Sequence, residues 1–287
     1  MWIRVVYQHR GQLGEVLASL VPARQRCFPF WNAGDALIMF GLMMVLAGVA
    51  QSYLLSQGVL VRQPIETDPP LSDAQTAANQ YVLIAISLVV GLMALGVMLA
   101  FFRSRSDKLL DRLGLRVRRG DVVLGLKASL MVLPPVLVIS GLLNLVIPYE
   151  HPVLEILAGI DSVPKLVLVF VTTAIATPLV EEFLFRTLLI GGFERLAQAM
   201  QVGDLQQWER DQGDQPWKDR FDWPVIASSF IFAIMHFGHG AAPVPLFVLA
   251  LALGYLYRRT GSIVAPIVVH MVLNSLTLIV ETLRVNT

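Results

Sequence analysis

The chain has 287 residues, of which 55% carry hydrophobic side chains and only 15% are charged; its net charge is +1 and its mean hydropathy +0.65. Average soluble domains are about 25% charged, so a water-soluble globular domain is excluded, and an all-α integral membrane protein without a nucleic-acid partner is expected. The single cysteine, Cys27, rules out an intramolecular disulfide and a cysteine-based metal cage.

Residues 1–33 mix Arg4, Arg10, Arg24 and Arg26 with apolar residues and lack a signal-peptide core followed by a small-residue cleavage site. They read as a cytoplasmic, partly amphipathic lead-in. A membrane-crossing helix needs about 20 mostly apolar residues, and three stretches, 36–60, 81–102 and 128–149, contain no Asp, Glu, Lys or Arg. The third holds Pro134-Pro135 and is expected to kink. These helices make up an N-terminal transmembrane part, 34–163.

A second part, 164–282, carries the ionisable residues. Residues 166–190 and 260–280 are long enough to span, whereas 223–238 and 241–257 are shorter and read as short spans packed inside the bundle. The expectation is a polytopic transmembrane helix bundle of about seven helices, or eight if the segment near 181 breaks. Residues 201–222 form a polar insert. Sidedness comes from the loops. Between Phe102 and Gly120 stand Arg103, Arg105, Lys108, Arg112, Arg116, Arg118 and Arg119 against Asp107 and Asp111, which predicts a cytoplasmic loop and a cytoplasmic N-terminus. The loops holding Glu66, Asp68 and Asp73, and Glu150 to Asp161, are acidic and fall on the other side.

Ionisable side chains within membrane helices are costly and mark pathways or reaction centres. Four places qualify: Glu181 with Glu182, Arg186, His236 and His270. Glu182 and Arg186 are four apart and share a helical face as an ion pair; Glu181 is rotated by about 100° and is left available. Pro178 should bend the helix close by and help open a wet pocket. Phe232 and His236 share a face, as do His270 and Asn274. Counted from the cytoplasmic end of each span, Glu181, His236 and His270 fall roughly 10 to 20 Å deep, so three helices can bring them to one point. Taken singly, each residue has a structural reading: a histidine bonded to a neighbouring carbonyl, an asparagine holding two helices together. His9, His151 and His239 lack such context and are read as surface or interface residues.

The ordered set Glu181-Glu182-x-x-x-Arg186, Phe232-x-x-x-His236 and His270-x-x-x-Asn274 resembles the motif series of the CPBP intramembrane proteases, a family that includes type II CAAX prenyl endopeptidases and bacteriocin-processing and self-immunity proteins. The resemblance covers roughly 164–280. It implies an endopeptidase that hydrolyses a peptide bond in or near the membrane, with a protein or peptide substrate that is lipidated in the CAAX case. Glu181 and His236 would hold and activate the water, His270 and Asn274 would face the oxyanion, and Glu182, Arg186 and Phe232 would support the site. Two histidines and a glutamate are also the ligand set of hydrolytic zinc sites, so Glu181, His236 and His270 are the alternative zinc ligands. Without His-Glu-x-x-His, and with Asn274 paired to His270, the reading without a cofactor is preferred. Other classes on the same residues are a non-catalytic immunity or partner protein and a proton-coupled transporter; against the latter, no Gly/Pro-interrupted pair of spans recurs in two halves.

Overall fold

A computed structural model describes residues 20–62, 70–147, 156–157, 160, 162–212 and 222–285. His9, His151, most of the lead-in, the acidic positions Glu66, Asp68 and Glu150, and the middle of the polar insert, 213–221, lie outside the described residues. The described residues are helical, as expected. The helices are α1 (Ala33–Ser56), α2 (Asp73–Arg103), the single-turn α3 (Leu109–Arg112), α4 (Asp121–Asn144), α5 (Val163–Gln201), α6 (Leu205–Gln212), α7 (Trp223–Ile234), α8 (Pro243–Thr260) and α9 (Val264–Val285).

The expected seven or eight spans are not found: among the described residues five helices are long and apolar enough to cross a membrane, α1, α2, α4, α5 and α9. The difference lies in two elements. α7 has 12 residues, about 18 Å of helix against a hydrocarbon core of about 30 Å. α8 has 18 residues but opens on Pro243 and Pro245 and closes on Tyr257, Arg258 and Arg259, which dilute its apolar run. α5 does not break near the glutamates. It continues for 39 residues through two π-helical stretches, Val171–Ala176 and Phe183–Ile190. Pro178 follows the first of these, where the wider turn accommodates a residue that donates no backbone bond.

The chain divides into two compact units. The first comprises Met1–Ala36, Lys108–Tyr149 and Glu182–Val269. Its core includes Phe183, Leu188, Phe232, Leu249 and Leu253, none exposed by more than a trace. Residues 21–32 thread through this unit. Arg24 pairs with Asp121, Arg26 Nη2 lies 2.8 Å from Glu194 Oε1, and Arg259 donates to Val21 O at 3.1 Å. Trp31 is almost fully buried and donates from Nε1 to Thr187 O at 3.0 Å. It fits because α5 presents Gly191-Gly192: a Cβ on Gly191 would stand 2.7 Å from the indole, and one on Gly192 2.4 Å from the nitrogen of Ala33. α4 approaches α9 as closely, since a Cβ on Gly125 would meet Val268 at 2.6 Å.

The second unit comprises Leu37–Asp107, Glu150–Glu181 and His270–Thr287. α2 begins on a capping box in which Ser72 Oγ accepts from Gln75 N and Gln75 Oε1 accepts from Ser72 N. Tyr81 and Ile84 of α2 pack with Val169 and Ala174 of α5 and Leu278 of α9. Gly91 admits Val180 to within 3.3 Å of where its own Cβ would be. That contact seats the turn of α5 just before Glu181.

Candidate active site

Both glutamates stand on α5, at the end of the α-helical stretch Thr177–Glu182 that separates its π-helical segments. They lie in different surroundings. Glu182 and Arg186 are both fully buried, with Arg186 Nε 2.8 Å from Glu182 Oε2 and Nη2 3.5 Å from Oε1. The guanidinium also lies 5.2 Å from the ring centre of Phe232, which packs edge-on against Phe185 at 5.0 Å. A buried carboxylate in this arrangement is neutralised in place and reaches no solvent. The expected structural pair is present.

Glu181 retains 25% exposure of its side chain, and its Oε2 lies 3.8 Å from Nε2 of His270, which is 4% exposed. One turn further along α9, Asn274 donates from Nδ2 to Thr173 O at 2.8 Å. A carbonyl can only accept, so this bond fixes which end of the amide is nitrogen and leaves the second N–H of Nδ2 for another acceptor. Glu181, His270 and Asn274 are thus brought together within the second unit, on facing stretches of α5 and α9. Thr173, the partner of Asn274, is a residue that sequence reasoning missed. A backbone carbonyl carries no side-chain signature, and its π-helical setting leaves no trace in an apolar run.

His236 belongs to the first unit, with Glu182, Arg186 and Phe232. It follows α7 in the turn leading to α8, where its Nδ1 lies 2.9 Å from Phe232 O. The carbonyl again can only accept, so Nδ1 carries the proton and, in the neutral ring, Nε2 is an acceptor. The ring lies against Phe232, tilted by 47° with centroids 4.9 Å apart, and its centroid is 6.2 Å from that of His239. Gly238 and Gly240, at φ 103° and 59°, let the chain reverse between α7 and α8 with residues that tolerate the left-handed region. Ser228 secures α7 by donating to Phe185 O at 2.9 Å.

Chemically, the second unit supplies a partly exposed carboxylate beside a buried histidine and an amide with a spare donor; the first unit, taken by itself, supplies a histidine whose Nε2 is an acceptor. Such groups can take a proton from water and stabilise a developing oxyanion. Among the described residues no three His, Cys, Asp or Glu side chains are grouped to hold a metal ion.

Comparison with known families returns one match. The family described as type II CAAX prenyl endopeptidase Rce1-like has a model that matches residues 163–276, the stretch from the start of α5 to the middle of α9 that carries every residue of the candidate site. No curated protein and no solved structure matches the chain.

Proposed function

We propose that the chain, whose residues 163–276 match the Rce1-like type II CAAX prenyl endopeptidase family, is a multi-pass intramembrane endopeptidase in which Glu181 activates water for attack on a peptide bond. The observation that carries this reading is the contrast between the adjacent glutamates: Glu182 is sealed with Arg186 at 0% exposure, whereas Glu181 is 25% exposed and faces His270.

In this reading Glu181 takes a proton from a water molecule, and the resulting hydroxide adds to the carbonyl carbon. The new oxyanion accepts from His270 and from the second N–H of Asn274. Glu181 then returns its proton to the amide nitrogen as the carbon–nitrogen bond breaks, which yields a carboxylate and an amine. Poorly hydrated surroundings favour this cycle, because they make each hydrogen bond to the oxyanion worth more. No metal is required. The excess of Lys and Arg in the loop 103–119 supports a cytoplasmic N-terminus.

The substrate is a membrane protein or membrane-bound peptide, with a lipidated C-terminal segment as the CAAX version of the reaction. Substrate-trapping proteomics with Glu181→Gln tests the reading. The variant should retain intact membrane polypeptides that wild type releases cleaved. If wild type and Glu181→Gln capture the same proteins, all uncleaved, the chain is a non-catalytic partner protein and the reading fails.

A further inference from the structure

A cavity of about 350 Å³ lies between the first turns of α5 and the last turns of α9, within the second unit. That volume is in the range of small-molecule sites, about 300–1,000 Å³. Its walls include Leu166, Val167 and Phe170 from α5, and Leu278, Thr282 and Leu283 from α9. The one polar side chain among the lining residues is Thr282, and its hydroxyl donates to Leu278 O at 2.7 Å. The well is therefore a receptacle for hydrocarbon.

Position separates it from the catalytic residues. Glu181 faces His270 and Thr173 faces Asn274, so α5 and α9 run antiparallel and the start of one lies beside the end of the other. Thr282 is 12 residues beyond His270, about 18 Å along the helix. The cavity thus sits at the far end of the pair.

That end carries cations. Lys165 adjoins Leu166, with its ammonium 4.7 Å from the ring centre of Tyr81. Arg284 adjoins Leu283, is 79% exposed and lies 3.8 Å from Glu281. An apolar well set between two membrane-crossing helices, with a cation next to a lining residue on each helix, matches one class of molecule in charge and polarity. We propose that this cavity binds a bilayer phospholipid with an anionic headgroup, its acyl chain in the well and its phosphate on Lys165 and Arg284. The site is distinct from the peptidase centre and does not depend on that assignment.

The test uses the full chain in detergent, stripped of lipid and titrated with phosphatidylglycerol or phosphatidylcholine of identical chains, with bound lipid counted by native mass spectrometry. Phosphatidylglycerol is retained in preference. Lys165→Gln and Arg284→Gln each weaken it about five-fold, the equivalent of about 1 kcal/mol per basic residue, and the double variant loses the preference over phosphatidylcholine. Val167→Trp, which fills the well from a position 52% exposed, reduces retention of both lipids. If that variant unfolds, Leu283→Trp, 63% exposed on the facing helix, fills it from the other side. Unchanged retention in a folded filled variant, or an unchanged preference in the double charge variant, overturns the proposal. So does stoichiometric displacement of the lipid by an apolar peptide substrate, which would make the well part of the peptidase centre.

Discussion

Glu181 and Glu182 are the same residue type one position apart, and helical rotation gives them different fates. The i,i+4 spacing of Glu182 and Arg186 was legible in the sequence, and the structure seals that pair at 0% exposure. Removing one member leaves a buried charge without its partner, so Arg186→Met should cost about 3–5 kcal/mol. Thermal unfolding in detergent should therefore show a lowered midpoint for Arg186→Met and an essentially unchanged one for Glu181→Gln. Restoration of much of the loss by adding Glu182→Leu would identify the stranded carboxylate as the cause. Asn274 supports a different prediction. Its spacing from His270 was legible, but the hydrogen bond that orients its amide, to Thr173 O, was not, because any residue type supplies a carbonyl. Asn274→Ala should lower the cleavage rate about 10²- to 10³-fold, the usual effect of removing one oxyanion donor. A comparable fall in stability would point to a helix-bracing role instead.

Among the elements, the long apolar helices were the easiest to read, since an uncharged run of about 20 residues has few other uses. α5 was harder. Its apolar residues surround the helix on all sides, so no periodicity distinguishes α-helical from π-helical turns, and a proline near the glutamates suggested a bend or a break. The structure keeps the helix continuous and places π-helical turns on both sides of Thr177–Glu182. The turn after Arg186 is held by Trp31, which fills the space over Gly191 and donates to Thr187 O. Nothing in the spacing of Trp31 announces this contact, 156 positions away along the chain. Trp31→Ala should destabilise by about 3–5 kcal/mol, whereas Trp31→Phe, which loses mainly the N–H, should lose about 0.5–1.5 kcal/mol. Denaturant unfolding of the two variants distinguishes packing from hydrogen bonding at this contact.

For the whole molecule, composition correctly pointed to a helical membrane protein, and the excess in the span count came from treating two short apolar helices as crossings. The apolar character of α7 and α8 is real; α7 lacks the length and α8 the unbroken hydropathy of a full span. The family match and the candidate residues occupy the same stretch of chain, 163–276, and the proposed function rests on that stretch. Because the proposed chemistry uses no metal, chelation followed by dialysis should leave cleavage unchanged in a reconstituted assay. Restoration of a chelator-abolished activity by zinc would replace Glu181 as water activator with a metal site. The most direct measurement is the cleavage rate of a trapped substrate by wild type and Glu181→Gln in proteoliposomes, with thermal unfolding recorded alongside. The account predicts loss of cleavage with an unchanged unfolding midpoint; cleavage by Glu181→Gln at the wild-type rate would contradict it.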